Sequence, residues 1–280
     1  MTTRIPAEAV LTEATPAQLA AAVEGNLFAM FRQCAAALGG ELEEGPGLSR
    51  FHCAPASPIF KAAWGARLAA PDADAAISDT VAWFRARQAP FFFWWTGADT
   101  QPTDLGERLA AHGLAVFEQN APALAAAIDQ LNWENPRPPE LRVEPVVNDA
   151  QLLQWKAVFI ESFGLPEFAG QAWVDATRAV GHGRTPWQML VGTLAGEPAG
   201  CGLLVCGAGV AGLVGLGTRP AFRSRGLGSA MQLERLRLAQ AMGYRYAVLF
   251  ASEMGRSPYL KLGFQDTGRR VSRYLWRQSE

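Results

Sequence analysis

Arg223, Ser224, Arg225, Gly226, Leu227 and Gly228 combine two fixed cations with two glycines just where a helical pattern begins. Glycine lets backbone approach a ligand closely and adopt dihedrals that side chains forbid. A helix start adds unpaired N–H groups and the positive end of the macrodipole. Together these describe a cradle for phosphate, and the expected ligand carries a pyrophosphate. The elements that must hold the cradle are legible on both sides. Ala211 to Thr218 is an apolar run that reads as a strand, and Pro220 and Phe222 follow it. The segment after the cradle carries Leu227, Met231, Leu238 and Met242 on one helical face, with Gly243 as its stop.

A second glycine pattern, Gly207-Ala208-Gly209-Val210-Ala211-Gly212, matches a dinucleotide-binding fingerprint letter by letter. That fingerprint needs a helix after it. Here the strand beginning near Leu213 follows, so these glycines read as a hairpin turn.

The chain of 280 residues is 49% hydrophobic with a formal net charge of −1. That length fits two domains and that composition a sizeable core. General nucleic-acid binding is not expected without a basic excess. Arg219, Arg223, Arg225, Arg235, Arg237, Arg245 and Arg256 crowd near the cradle in sequence, which suits a local anion site. Cys34, Cys53, Cys201 and Cys206 lack metal or redox spacing, so no metal is expected and free thiols are. The first residues lack the basic-then-apolar order of a signal peptide. The longest aromatic run, Phe91 to Trp95, is too short for a membrane helix and reads as a buried strand. A soluble cytoplasmic protein without membrane partners is the expectation.

Asn132 to Glu140 holds three prolines in a short polar stretch, and the chain is divided there, into 1–138 and 139–280. The second part reads as a strand at Leu141, a helix capped by Asp149, a loop from Glu161 to Gly170, and a helix around Trp173. A hairpin from Gln188 to Cys206 follows, then the strand, cradle and helix already described. A strand Tyr246–Ala251, a short helix at Ser257–Leu262 and a last hairpin from Phe264 to Trp276 complete it. This is an α/β pattern. Phe91–Trp95, Leu105–Leu114 and Ala115–Glu118 echo Val248–Ala251, Tyr259–Leu262 and the segment from Phe264. Both read strand, loop, short helix, glycine, strand. The echo suggests an internal duplication whose first copy lacks the cradle.

Thr218 to Ser229, with Tyr259-Leu260-Lys261-Leu262-Gly263-Phe264, resembles the GNAT superfamily of acyl-CoA-dependent N-acyltransferases. Its cofactor motif, Gln/Arg-x-x-Gly-x-Gly/Ala, is met in full. The resemblance covers the last half of the chain and only the end of the first. It implies an α/β fold with a mixed, mostly antiparallel sheet flanked by helices, in two tandem domains. It implies acetyl-CoA as acyl donor, held through Leu216, Gly217 and Thr218 on the strand and through Arg223, Ser224, Arg225, Gly226, Leu227, Gly228 and Ser229 in the cradle. Arg223 and Arg225 either touch phosphate or merely solvate the loop. An amide near Leu216 would polarise the thioester carbonyl. Tyr259 matches the family's general acid; the competing reading packs it on Phe264 with its hydroxyl tied to backbone. Ser252 stands where the family often has a cofactor-contacting asparagine.

The acceptor implied is an amine on a small molecule or a peptide; oligomeric state is not legible. A general base is harder to find, because the strand 211–218 has no carboxylate. Glu161, Glu167, Asp175 and His182 are candidates, each also readable as ordinary surface, and a water chain could serve instead. Phe163, Phe168, Trp173 and Trp187 read as acceptor pocket or as core. Two competitors stand beside the transferase: a CoA-binding regulatory or scaffolding module without turnover, and aminoacyl transfer from tRNA, which the charge balance opposes.

Overall fold

The computed structural model describes residues 9–134 and 138–278. The boundary stretch 132–140 and the N-terminal segment therefore lie partly outside the described residues. The chain divides into two compact units, 1–30 with 123–267, and 31–122 with 268–280.

The larger unit is built on six strands in the order β5 (Ala115–Ala127), β10 (Tyr246–Phe250), β9 (Val210–Thr218), β8 (Glu197–Gly207), β7 (Trp187–Leu194) and β6 (Leu141–Pro145). Only β9 and β10 run parallel; every other neighbouring pair is antiparallel. Two-residue turns join β7 to β8 at Ala195-Gly196 and β8 to β9 at Ala208-Gly209, all four residues having positive φ. Such turns match the twist of the strands they join. The Gly207–Gly212 pattern is thus a hairpin, as its context requires.

Helices α4 (Asp149–Phe163) and α5 (Glu167–Val180) cover one face. The α5 residues Ala169, Ala172, Trp173, Ala176 and Thr177 are buried at helical spacing. Asn148, not Asp149, caps α4: its side chain accepts from the Gln151 amide at 3.0 Å. The expected loop 161–170 shrinks to the link between the two helices, because Gly164 closes α4 in the left-handed conformation (φ 60°) and Pro166 opens α5. Helix α6 (Leu227–Ala241) lies on the other face and α7 (Glu253–Leu262) follows β10. Side-chain parity on β8 separates the faces. A Cβ at Gly200 or Gly202 would meet Met231 or Arg235 of α6, whereas Cys201 and Leu203 point toward α4.

Asn26, in the early part of α1 (Pro16–Leu38), is buried beneath the β8–β9 turn. Its amide donates to the carbonyls of Val205, Gly207 and Val210 at 2.9, 3.1 and 3.3 Å. A Cβ on Gly212 would collide with it. Asn26→Ala is expected to cost about 2 kcal/mol, since the buried amide's hydrogen bonds to three carbonyls are lost together. Urea unfolding measures it, and a loss below about 0.5 kcal/mol would show that the ladder alone satisfies those carbonyls.

The smaller unit has the strands β1 (Glu41–Glu44), β2 (Ser49–His52), β3 (Lys61–Trp64) and β4 (Phe91–Thr96), then β11 (Gln265–Arg277). Helices α2 (Ala73–Ala86) and α3 (Leu105–Ala111) belong to it. Again one pair, β3 with β4, is parallel. The anticipated last hairpin is one unbroken strand: β11 runs antiparallel to β4, from Ser272↔Thr96 to Arg277↔Phe91. Strand β5, from the first half of the sequence, pairs in the same way with β10, from Tyr246↔Ala127 to Phe250↔Ala123. Each unit thus completes its sheet with a strand segment from the other half of the sequence, 123–127 of β5 in the larger and 272–277 of β11 in the smaller. The matching orders β3-β4-β11 and β9-β10-β5 give the internal duplication structural form.

Candidate functional site

Strands β9 and β10 are paired only through Ala211↔Ala247 and Gly212↔Val248 among the described residues. Beyond that level β9 runs six residues further, to Thr218, with its β10-facing edge outside the ladder. The cause lies within β9. Pairing with β8 shifts register between Cys201 and Leu203, opposite Gly215, whose φ is 58°. A bulge of this kind bends a strand and increases its local twist. Of the expected strand contacts, Leu216 belongs to the bulge and Gly217 and Thr218 lie past it.

The chain then makes a 3₁₀ turn, Pro220–Phe222, and enters the cradle. Ser224 and Gly226 are both left-handed, with φ of 60° and 77°. Backbone that includes such residues cups successive N–H groups around an anion. Gly226 is the N-cap of α6 and brings no side-chain acceptor to the helix's first amides, and the first turn holds no acid. The amides of Leu227, Gly228 and Ser229 therefore keep their donors for a ligand. A Cβ on Gly228 would meet only Thr218 Oγ1, at 3.8 Å, so the space beside this turn is open.

The two cradle arginines do different things. Arg223 ties the loop down, donating to Thr218 O at 3.2 Å and Ser162 O at 2.9 Å. Arg225 sits 5.6 Å from the Phe222 ring centre and has no carboxylate partner among the described residues. Its side chain also borders a pocket of about 400 Å³ with Phe222, Glu140 and Glu197. Of the remaining arginines, Arg219 binds Glu161, Arg237 binds Glu234 and Arg256 binds Asp266. Arg245 donates to Thr12 O. The crowding read from sequence is mostly internal pairing.

Tyr259, on α7, is half-buried. Its ring meets Phe264 edge-on at 5.6 Å and packs on the core formed by Leu233, Leu236 and Leu249. Its phenol lies near enough to the buried Arg235 guanidinium to favour that charge. Ser252 caps α7, accepting from the Gly255 amide at 3.1 Å. A structural task thus occupies the position expected to touch cofactor.

On the α4 face, Phe159 would stand 3.7 Å from a Cβ at Gly215, and Ser162 presses on Gly217. Ser162 Oγ is buried without a hydrogen-bond partner. Phe163 continues the row at 5.2 Å from Phe159 and is exposed, as is Phe168. Trp173 and Trp187 are instead core, stacked edge-on at 5.4 Å. Sequence reasoning passes over Phe159 and Ser162. Their signal is spacing: they lie four and seven residues beyond Trp155, on its side of the helix.

No family model matches the sequence, and no curated protein is similar to it. Solved structures are similar over nearly the whole chain. A GCN5-related N-acetyltransferase from Kribbella flavida has a TM-score of 0.69 at 15% identity, covering 94% of this chain and 96% of that one. One from Sphaerobacter thermophilus has 0.60 at 18% identity, covering 95% of each. A tandem GNAT protein from the clavulanic acid biosynthesis pathway has 0.56 at 12% identity, covering 98% of each. The fold is that of the GCN5-related N-acetyltransferases, in tandem.

Within this GNAT fold the two units differ at the place that matters. In the smaller unit β3 and β4 pair only through Ala62↔Phe93 and Ala63↔Trp94, repeating the limited pairing of β9 and β10. There the chain closes the gap itself: Gln101 N donates to Ala66 O at 2.9 Å, and Leu68 N donates to Gln101 O at 3.2 Å. The following helix, α2, starts with Asp72 at its N-cap and Asp74 in its first turn. Acids at a helix start disfavour a second anion there, whereas the first turn of α6 holds none.

The carboxylates that could act as bases are engaged. Glu161 accepts from Arg219, and Glu167 from Lys156, both at 2.6 Å; Asp175 accepts from Gln171 at 2.8 Å. His182 meets Asp149 at 2.9 Å, where Arg178 and His182 together hold the carboxyl below the usual range. Among the described residues, no helix is long and apolar enough to cross a membrane, and no group of three or more His, Cys, Asp and Glu side chains is placed to hold a metal ion.

Proposed function

We propose that this chain is an acyl-CoA-dependent N-acyltransferase that moves an acetyl or short acyl group to a primary amine by direct attack. The observation that carries the reading is the uncapped start of α6 beside the free edge of β9. Acetyl-CoA fits this donor set: a diphosphate needs several converging N–H groups, and Gly228 keeps a side chain out of their way.

Leu227, Gly228 and Ser229 would hold the diphosphate through their amides, with Arg225 as the nearby cation. Leu216, Gly217 and Thr218 would hold the pantetheine arm along the edge of β9. When bound, acetyl-CoA supplies the acetyl group and a thiol leaving group. The Leu216 amide, aimed by the bulge, would donate to the carbonyl oxygen. The Tyr259 hydroxyl would hold the proton that the sulfur takes on leaving. The row Phe159, Ser162 and Phe163 would form the wall past which the acceptor enters. With β9 lacking a carboxylate and the neighbouring acids paired, the acceptor's proton would pass to water.

A thiol-release assay with acetyl-CoA and a panel of small-molecule and peptide amines tests the reading. Release that depends on one amine class is expected. No release, with CoA still bound, would favour a regulatory CoA-binding module, the reading suggested by the missing strand carboxylate. We also expect one CoA per chain by calorimetry or native mass spectrometry, because the smaller unit's gap is closed and its helix start carries acids. Two equivalents would show that this closure opens.

A further inference from the structure

Arg235 takes no part in the steps above, yet it bonds Val214, two residues before Leu216, and its charge feels the Tyr259 phenol. The side chain is fully buried. Nη1 donates to Leu203 O and Val214 O, both at 2.9 Å, linking the two strands at the register shift that produces the bulge. Nη2 donates to Gln232 Oε1. The Tyr259 phenol lies near enough to favour the same charge. Nε has no acceptor. The fit is close: a Cβ on Gly202 would stand 3.0 Å from Arg235 Cδ and 3.2 Å from Nε.

A buried cation is among the costliest groups a core can hold, and an apolar side chain would pack α6 on β8 without that cost. The charge must be explained by what it touches. Guanidinium carries donors only. It therefore serves the carbonyls of Leu203 and Val214, the last ladder pair before the register shift. For the same reason the Tyr259 hydrogen cannot turn toward it. Toward the cation the tyrosine oxygen can act only as acceptor, which leaves the O–H proton for another partner.

We propose that Arg235 is a positioning residue for acyl transfer, fixing the Val214–Leu216 segment from below and the Tyr259 hydroxyl from the side so that the two keep one geometry. The proposal rests on the transferase reading. Arg235 reaches no substrate; it acts through Leu216 and Tyr259.

The test compares wild type, Arg235→Lys, Tyr259→Phe and the double variant. Arg235→Lys should keep its CoA Kd within about threefold yet lose roughly 100-fold in kcat, the scale expected when catalytic groups shift by about 1 Å. The double variant should lose more than Tyr259→Phe alone, through Leu216, but less than the product of the two single losses, because residues acting as a unit are not additive. Hydrogen exchange at the Gly215 and Leu216 amides of the free protein should quicken in Arg235→Lys, whatever the turnover. Should Arg235→Lys fail to fold, Gln232→Leu keeps the charge but removes its side-chain acceptor, and kcat should fall with CoA affinity retained. Additive losses, unchanged kcat in a folded variant, or unchanged exchange at the bulge would overturn the proposal. An active wild type with unaffected variants sinks this role alone. A wild type inert toward every amine overturns the transferase reading and this role with it.

Discussion

Gly228→Trp should abolish CoA binding while leaving the protein folded. Gly228 lies in the first turn of α6, and a side chain there meets only Thr218 Oγ1 at 3.8 Å. Its backbone needs no left-handed geometry, so the substitution adds bulk without dihedral strain. An indole at this point fills the space toward which the free amides are directed. Losing two or three hydrogen bonds to a charged phosphate amounts to about 4 kcal/mol, or roughly 1,000-fold in Kd. Gly226→Trp should block the same site less cleanly, because Gly226 sits at φ 77°, where a side chain costs about 1–2 kcal/mol. Calorimetry with CoA, beside urea unfolding of each variant, separates the two effects. Near-normal affinity in Gly228→Trp would move the diphosphate elsewhere and leave the transferase reading without its anchor.

The cradle is legible because its residues are contiguous. A phosphate site made of backbone amides needs glycines at fixed offsets before a helix, and that pattern survives in one dimension. The hairpin at Gly207–Gly212 is legible for the same reason. Strand exchange between the halves is not. Nothing local in Gln265–Arg277 says whether it folds back on itself or pairs with Phe91–Thr96, and Gly268 with its positive φ imitates a turn. Arg235 reads in sequence as one more cation of the local anion site. Its position, four residues after Met231 and eight after Leu227, places it on the apolar face of α6, and this is the available signal. Met242 reads as part of that face and is exposed. Ser252 shows how resemblance misleads: a short polar residue after a strand suits a ligand contact and a helix cap equally well, and here it caps α7.

Tyr259→Phe should lower kcat by roughly 100-fold to 10,000-fold, the usual range for losing a positioned proton donor. KM for acetyl-CoA should change little. The ring's packing supports that separation: the edge-on contact with Phe264 at 5.6 Å needs no hydroxyl, and Phe keeps the same shape. What disappears is the oxygen beside Arg235 and the proton it carries. The buried guanidinium then loses a polar neighbour, which should cost about 1 kcal/mol of stability. This stability loss and the fall in kcat come from one atom but report different things. The first tests the hydroxyl's contact with Arg235 and would appear even in a protein that only binds CoA. The second tests whether the hydroxyl supplies a proton to the leaving sulfur. A folded variant with full turnover removes Tyr259 from the chemistry and leaves it as packing. Matched losses in kcat/KM and CoA affinity, with kcat intact, would make it a binding residue. A fall confined to kcat, larger for poor thiol leaving groups than for good ones, is the result that a proton donor at this position requires.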